Sequence, residues 1–218
     1  MIDLFGEEHK PLTRRTPLKY VGGKSYAIDI IRQCFPPRLT EMVSPFCGGC
    51  SIELACAADG VRIHAYDLYG DLINFWIQLQ SRPEQLWDIG SQYLTYDTDE
   101  FKAYLNQYKT ETDPLTKAAI FYGLRKSSYA GMMTGLASQL RYTIGYKHGW
   151  RRKFTKASPS VMRVKTFHNP NISFQVNDFE TALNNHPNVF AYLDPPYMIK
   201  SKTLYGCLLY TSPSPRDS

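Results

Sequence analysis

Residues 39–80 read "LTEMVSPFCGGCSIELACAADGVRIHAYDLYGDLINFWIQLQ", and short apolar runs alternate here with helical patterns. The runs 39–44 and 61–66 are predicted strands. The segment 48–58 after the first is a predicted turn followed by a helix, and 71–80 after the second is a predicted helix. A strand–helix–strand–helix order favours parallel strands joined by right-handed crossovers. This stretch therefore predicts an α/β fold built on a parallel sheet.

The same rhythm returns near the end of the chain, after a long interruption. Residues 172–176 and 189–193 are predicted strands, and 178–184 is a predicted helix between them. Between the two regions, helices are predicted to begin at Asp97 and Asp113, because an acid caps a helix start well. We predict one α/β unit interrupted by a mainly helical insertion. The α/β unit is formed by an N-terminal portion (residues 1–84) and its continuation (166–206). The inserted domain between them covers residues 85–165.

Positive charge is concentrated in one region of the insertion. The whole chain carries a formal net charge of +5, and the segment from Arg125 to Lys165 holds ten Lys or Arg residues and no Asp or Glu. A basic segment in an otherwise acidic protein is typical of polyanion binding, which makes nucleic acid the expected partner. The alternative is an ordinary solvated surface, although such surfaces usually mix charges of both signs.

The apolar runs and the cysteine count limit the class of protein. No run of 18 apolar residues is present, so no membrane span is expected, and the N-terminus has no apolar core of a secretory signal. The five cysteines are an odd number in a chain without such a signal. We therefore expect reduced thiols and a cytoplasmic location.

The turn after the first predicted strand suits a cofactor. "SPFCGGCS" (44–51) places Gly48 and Gly49 between a strand and a helix, where a bare backbone lets a ligand approach closely. Asp67 ends the second strand 19 residues after Gly48, which is the spacing of an acid that binds ribose hydroxyls. The alternative is a plain tight turn with Asp67 on the surface.

The same turn also permits thiol chemistry. Cys47 and Cys50 form a CxxC pair at a predicted helix N-terminus, where the helix dipole would lower a thiol pKa. A thiol–disulfide oxidoreductase is the alternative function, but it gives no role to the basic segment. No metal site is predicted, since only Cys56 lies near this pair.

The sequence "DPPY" (194–197) follows the last predicted strand. Pro195 and Pro196 have no N–H, so the carbonyl groups and the Asp194 carboxylate offer only acceptors, beside the aromatic ring of Tyr197. Acceptors next to an aromatic ring suit a flat base that carries an exocyclic amine. The alternative is an exposed proline-rich turn, but open α/β sheets bind ligands at this end of their strands.

Taken together, these motifs resemble those of DNA adenine-N6 methyltransferases in which the cofactor segments precede the catalytic one. "LKYVGGKS" (18–25) is similar to their N-terminal motif and "PFCGGCS" (45–51) to their glycine-rich cofactor turn. "AYDLYGDLINFW" (65–76) resembles the ribose-acid segment, "VNDFE" (176–180) the adenine-contact segment and "DPPY" the catalytic motif. The resemblance covers residues 18–205.

This resemblance implies a fold, a reaction and a set of site residues. The fold is a Rossmann-like S-adenosylmethionine-dependent methyltransferase sheet with an inserted, mainly helical DNA-recognition domain. The protein would methylate N6 of a flipped adenine in double-stranded DNA as a monomer, beside a cognate restriction enzyme. The implied catalytic residues are Asp194, Pro195, Pro196 and Tyr197; the cofactor-binding residues are Tyr20, Gly23, Lys24, Phe46, Gly48, Gly49, Asp67 and Asp178; and the DNA-binding residues are Arg125, Lys126, Tyr129, Arg141, Lys147, Arg151, Arg152 and Lys153.

The sequence also departs from the family pattern. Serine stands at position 44, where the family usually has an acid, and Cys50 stands where it usually has glycine. Ser44 removes an expected contact to the amino group of the cofactor. In "YGLRKSSYAG" (122–131) the spacing from arginine to glycine is one residue longer than in the family.

The last segment, "CLLYTSPSPRDS" (207–218), resembles an in-frame translation of a transposon-end sequencing adapter. We therefore predict that the native sequence breaks near Gly206 and that 207–218 is an artefactual tail. Only four strands are predicted, whereas the family fold has seven. The expected consequences are an incomplete sheet with an exposed apolar edge, and an inactive fragment that is unstable or aggregates. A DNA-binding module without catalysis is the corresponding alternative function.

Overall fold

A computed structural model describes residues 10–95, 97–128, 131 and 159–196 of the chain. Four parallel strands form one sheet in the spatial order β3-β2-β1-β4. The predicted parallel α/β sheet is thus confirmed. The strands are β1 (Glu41–Ser44), β2 (Arg62–Asp67), β3 (Ile172–Val176) and β4 (Phe190–Ala191).

Of the described helices, one precedes β1 and the others lie in the connections between the strands. Helices lie at the positions predicted after β1 and β2, from Asp97, from Asp113 and after β3, whereas those at 83–90 and 159–162 were not predicted. A 3-10 turn, Ser91–Tyr93, is also present. In chain order the helices are α1 (Ile28–Arg32), α2 (Ser51–Ala58), α3 (Gly70–Ser81), α4 (Pro83–Gly90), α5 (Thr98–Thr110), α6 (Pro114–Ser127), α7 (Pro159–Met162) and α8 (Phe179–Asn184).

Strand β4 is shorter than the predicted strand 189–193. Its neighbour β1 pairs Met42 with Phe190 and Val43 with Ala191, and the Tyr192 N–H then donates to the Val43 carbonyl at 2.9 Å. The ladder stops soon afterwards because Pro195 and Pro196 have no N–H to donate. The chain therefore leaves the sheet after Tyr192, shortly before Asp194.

The direction of chain progression reverses between β1 and β4. From β1 the chain goes to β2 and then β3 on one side, whereas β4 joins β1 on its other side. At such a reversal the connections leave the carboxyl ends of the two strands in opposite directions and open a crevice. The glycine turn after β1 and the Asp194 segment after β4 both border this crevice.

Helix α3 anchors the core with the face that its sequence pattern predicts. Leu72, Phe75, Trp76 and Leu79 are all 0% exposed. Trp76 stacks on Phe174 of β3, with ring centroids 5.3 Å apart and an interplanar angle of 7°. Its indole Nε1–H donates to the Gly48 carbonyl at 3.0 Å, so this core residue also supports the glycine turn.

The described helices of the predicted insertion share this core. Helix α6 is buried from Ala118 to Ser127, and its Phe121 and Tyr122 pack against Phe75 of α3. One cluster of buried side chains therefore joins α4, α5 and α6 to the sheet and to α3. The boundaries 85 and 165 stay predictions.

Within the described ranges, no helix has the length and apolar character needed to cross a bilayer.

Candidate active site

The N-terminal motif and the DPPY segment meet at the carboxyl edge of the sheet. Asp194 follows β4, and its Oδ2 lies 2.5 Å from Nζ of Lys24 in the N-terminal motif. The two side chains are 25% and 24% exposed, so the ion pair is accessible from solvent. Residues 170 positions apart in the chain are thus brought together beside the turn that follows β1.

The glycine turn fits closely around Tyr20. A Cβ added to Gly49 would lie 2.8 Å from Cβ of Tyr20, and one added to Gly48 would lie 3.2 Å from its Cε1. Gly48 also has a φ of +45°, in the left-handed region that favours glycine. The sequence predicts these glycines as a close approach to a cofactor; in the structure, the side chain that approaches them is Tyr20.

Asp67 locks this turn from the end of β2. Its Oδ2 accepts the Gly48 N–H and its Oδ1 accepts the Tyr69 N–H, both at 3.0 Å. Burial raises the pKa of the Asp67 carboxyl, and the two backbone hydrogen bonds oppose that rise. Each carboxylate oxygen keeps a further lone pair, so Asp67 can still accept hydrogen bonds from ribose hydroxyls.

Two aromatic rings, those of Phe46 and Phe179, lie together beside the glycine turn. Phe46 in the turn stacks on Phe179, with ring centroids 5.8 Å apart and an interplanar angle of 25°. The neighbouring Asp178 caps α8 by accepting the Thr181 N–H at 2.8 Å and its hydroxyl at 2.9 Å. Phe179 is partly exposed and offers a flat apolar surface that the sequence analysis missed, although it stands inside "VNDFE".

Arg125 and Lys126, which the sequence analysis assigns to DNA binding, are buried. They are 5% and 8% exposed, respectively. The Arg125 guanidinium lies 4.7 Å from the Tyr20 ring centroid and 4.9 Å from that of Phe121, and its Nη1 donates to the Gly131 carbonyl at 2.6 Å. In this structure Arg125 therefore braces the Tyr20 ring. The predicted contact of Arg125 with DNA would require the Arg125 side chain to become exposed to solvent.

The other predicted site residues divide into two groups. Gly23 lies in the described N-terminal motif, where its N–H donates to the Tyr20 carbonyl at 3.2 Å, and Pro195 and Pro196 follow Asp194. The remaining predicted residues lie outside the described residues and stay predictions. They are Tyr129, Arg141, Lys147, Arg151, Arg152, Lys153 and Tyr197.

The burial of Cys47 and Cys50 argues against the alternative of a reactive dithiol at the turn. Cys47 and Cys50 are free thiols, 4% and 1% exposed. Burial raises the pKa of Cys47 to about 11 and that of Cys50 well above its ordinary value. The desolvation of a thiolate here outweighs the helix dipole that the sequence analysis invoked. Buried, protonated thiols are poor nucleophiles, which argues against an oxidoreductase.

A buried carboxyl group missed by the sequence analysis lies behind the site. Glu53 of α2 is 2% exposed, and its Oε1 accepts a hydrogen bond from the Ser44 hydroxyl at 2.7 Å. Burial raises the pKa of Glu53 to about 7; the Ser44 bond opposes that rise and the charge of Asp194 adds to it. Two features of the sequence could have indicated this buried carboxyl group. Ser44 stands where the family usually has an acid, and Glu53 is the one acid in the apolar helix "SIELACAA".

Replacing Glu53 by glutamine should change how stability depends on pH. Between the ordinary carboxyl pKa of 4.5 and about 7, the folded state holds the Glu53 proton and the unfolded state releases it. Because unfolding then releases a proton, rising pH lowers the free energy of unfolding of the wild type relative to Glu53→Gln. The expected change across this window is about 3 kcal/mol.

Urea unfolding of both proteins at about pH 5 and about pH 8 measures this difference. Glu84→Gln removes an exposed carboxyl group and serves as the control, for which the change with pH in the difference from wild type should be much smaller than for Glu53→Gln. A Glu53→Gln difference that is the same at both pH values would contradict the buried, proton-holding state.

Three methyltransferases are among the known proteins to which this chain is similar. The 193-residue match to the Type II methyltransferase M1.LlaDCHI of Lactococcus lactis subsp. cremoris has 23% identity and covers 85% of this chain and 66% of the relative. The match to the Type II methyltransferase M.FokI of Planomicrobium okeanokoites has 24% identity over 85% of this chain and 29% of the relative. The DNA adenine methylase of Vibrio cholerae serotype O1 is 25% identical over 55% of this chain and 43% of its own length.

The chain thus spans less than two thirds of the length of these curated relatives. The profile of one protein family matches residues 20–215, a range that contains every catalytic and cofactor-binding residue that the sequence analysis proposed. This range begins at Tyr20 and includes Asp194, the residues that the structure brings to the same edge of the sheet. The chain belongs to the D12 class N6 adenine-specific DNA methyltransferases.

Proposed function

We propose that the protein transfers a methyl group from S-adenosylmethionine to N6 of an adenine in DNA. The observation that carries this proposal is the position of Asp194. It stands at the reversal point of the sheet, paired with Lys24 and next to the glycine turn that Asp67 holds. An acceptor carboxylate at the mouth of a cofactor crevice is the arrangement that the reaction needs.

The residues at the turn fit the cofactor. Asp67 has lone pairs left for ribose hydroxyls, and the partly exposed ring of Phe179 beside Phe46 offers a surface for adenine. When bound, S-adenosylmethionine supplies a methyl group on a positively charged sulfur. Further candidates to shape its site are Tyr20, Gly23, Lys24, Gly48 and Gly49, with Asp178 as a candidate for the adenine amine.

The segment after β4 fits the target base. The Asp194 carboxylate accepts one hydrogen of the exocyclic amine, and a backbone carbonyl of the proline segment accepts the other. These two bonds turn the nitrogen lone pair towards the methyl donor, and Tyr197 stacks on the ring. The Lys24 ammonium holds the carboxylate in position, while the fixed proline backbone limits its movement.

Duplex DNA is the proposed partner. The segment 125–165 contains no acid, which supports a recognition domain within 85–165 that binds a polyanion. Two relatives bear the name Type II methyltransferase, and on that basis we extend the proposal to a cognate restriction enzyme. We further propose that the protein acts as a monomer in the cytoplasm.

Incubation of the 218-residue protein with methyl-labelled S-adenosylmethionine and duplex DNA tests the proposed reaction. The sequence analysis expects an inactive fragment, whereas the pairing of Lys24 with Asp194 beside the glycine turn favours an active one. We therefore expect label in DNA and recovery of N6-methyladenine after digestion to nucleosides, and the absence of both would support the inactive fragment. A duplex that contains only G·C pairs is the matched control and should take up no label. Label in cytosine would refute the assigned base. DNA binding without any transfer would favour the non-catalytic binding module.

A further inference from the structure

Arg125, near the end of α6, lies among three aromatic rings that we call the aromatic box: Tyr20, Tyr69 and Phe121. Its guanidinium carbon is 4.7 Å from the ring centroid of Tyr20, 4.9 Å from that of Phe121 and 5.9 Å from that of Tyr69. The side chain is 5% exposed, and its Nε has no hydrogen-bond acceptor among the described residues. Cation–π attraction is strongest at such a desolvated site, so the aromatic box holds Arg125 and Tyr20 together.

The chain that follows α6 holds the same pair of residues. Nη1 of Arg125 donates to the Gly131 carbonyl at 2.6 Å. Gly131 has a φ of +79°, and a Cβ added to it would lie 2.2 Å from the Lys19 carbonyl oxygen, so the two backbones can approach only because this residue is glycine. Nζ of Lys19 donates in turn to the Ser128 carbonyl at 2.7 Å. Lys19 and Tyr20 are thus fixed against the end of α6.

Tyr20 transmits this support to the candidate cofactor site. Its Cβ and ring lie against Gly49 and Gly48, at distances that leave no room for a side chain on either glycine. Tyr20 is partly exposed, whereas Arg125 is buried. A bound cofactor can therefore touch Tyr20 directly, while Arg125 would act on the cofactor through the Tyr20 ring.

We propose that Arg125 is a positioning residue for the cofactor: it holds the Tyr20 ring against the glycine turn and so pre-forms one wall of the S-adenosylmethionine site. The inference rests on the proposed function, in which Tyr20 shapes this site. Without the guanidinium, the Tyr20 ring would gain rotamer freedom, and the cofactor would have to order it on binding. Arg125 would thus serve cofactor affinity, although it stands at the start of the basic segment.

Calorimetric titration with S-adenosylhomocysteine, in the absence of DNA, tests this role. Arg125→Met keeps the length of the side chain but removes the charge, and we expect its affinity to fall about tenfold. Arg125→Lys keeps the charge but loses the planar guanidinium, so its affinity should fall about threefold. Urea unfolding shows which variants are folded, and Arg125→Lys carries the test alone if Arg125→Met is not.

Lys117→Met is the matched control, because it removes another cation from α6. Nζ of Lys117 lies 5.4 Å from the ring centroid of Tyr108, which is not part of the aromatic box. The affinity of this variant should stay within about twofold of wild type. A loss as large as that of Arg125→Met would mean that any lost cation in α6 weakens binding, and it would overturn the proposal.

A double-mutant cycle with Tyr20→Leu shows whether Arg125 acts through the ring. In the Tyr20→Leu background, Arg125→Met should lower the affinity by less than about a further twofold, because no ring remains to be held. Equal effects of Arg125→Met in both backgrounds would show that it does not act through Tyr20, and the proposal would fall.

Two further results separate this inference from the proposed function. If wild type binds S-adenosylhomocysteine and a folded Arg125→Met binds it equally well, only this inference is refuted. A slope of log K against log salt for duplex binding that is lower by about 0.9 in that variant would then assign Arg125 to a DNA phosphate. If wild type binds no S-adenosylhomocysteine, the proposed function is refuted and this inference with it.

Discussion

Replacing Trp76 by alanine is expected to lower the free energy of unfolding by about 4 kcal/mol. The indole is 0% exposed, stacks on Phe174 and packs edge-on against Phe75 with ring centroids 5.1 Å apart. Alanine would leave a cavity between α3 and β3, and these close-packed elements can fill it only partially. Urea unfolding followed by circular dichroism measures the loss.

Trp76→Phe separates packing from hydrogen bonding at the same position. Phenylalanine keeps most of the apolar contact but leaves the Gly48 carbonyl without its donor at 3.0 Å, at a cost of about 1–3 kcal/mol. Because that bond supports the glycine turn, we also expect weaker binding of S-adenosylhomocysteine by calorimetry. A loss below about 1 kcal/mol for Trp76→Ala would show that this core does not hold the sheet together.

The features of the fold that local patterns govern could be predicted from sequence. Strand β3 matches its predicted range 172–176, and all four residues of the predicted apolar face of α3 are buried. Side-chain periodicity and the backbone demands of glycine and proline act over a few residues, so a sequence displays them directly. The position of Asp67 at the end of β2 follows from the same local logic.

The features of the site that depend on contacts between distant segments could not be predicted. Nothing near Gly49 in sequence indicates that Tyr20 fills the space at its Cα, and nothing near Arg125 indicates that it stacks on the same ring. A count of charges also does not tell which ionisable groups are buried. Lys126 is enclosed near Tyr122 at the end of α6, and Glu53 is almost fully buried beside Ser44.

The CxxC pair shows why a local rule fails when burial intervenes. A helix N-terminus stabilises a thiolate only by a fraction of what complete removal from water costs. Cys50 adopts a φ of 51° at the start of α2, and both cysteines belong to the main hydrophobic cluster. The sequence identifies the helix start correctly but does not reveal the depth of the turn within the protein.

Replacing Asp194 by asparagine is expected to reduce methyl transfer to DNA by about 100-fold or more. Asparagine keeps the size of the side chain but loses the negative charge and replaces one acceptor oxygen with a donor. It can no longer form the ion pair with Lys24 at 2.5 Å, and an amide aimed at the exocyclic amine of adenine would place donor against donor. The amine lone pair would then no longer be held towards the cofactor.

The variant should retain its fold and most of its cofactor affinity, because the glycine turn is held by Asp67 and Trp76 and not by Asp194. Binding of S-adenosylhomocysteine within about threefold of wild type, measured by calorimetry, would locate the defect in the methyl-transfer step. Asp59→Asn is the matched control: it breaks the ion pairs of Asp59 with Arg14 and Arg32, outside the crevice, and should leave transfer nearly unchanged. If Asp194→Asn retained more than about a tenth of wild-type transfer, Asp194 would not be the group that orients the base.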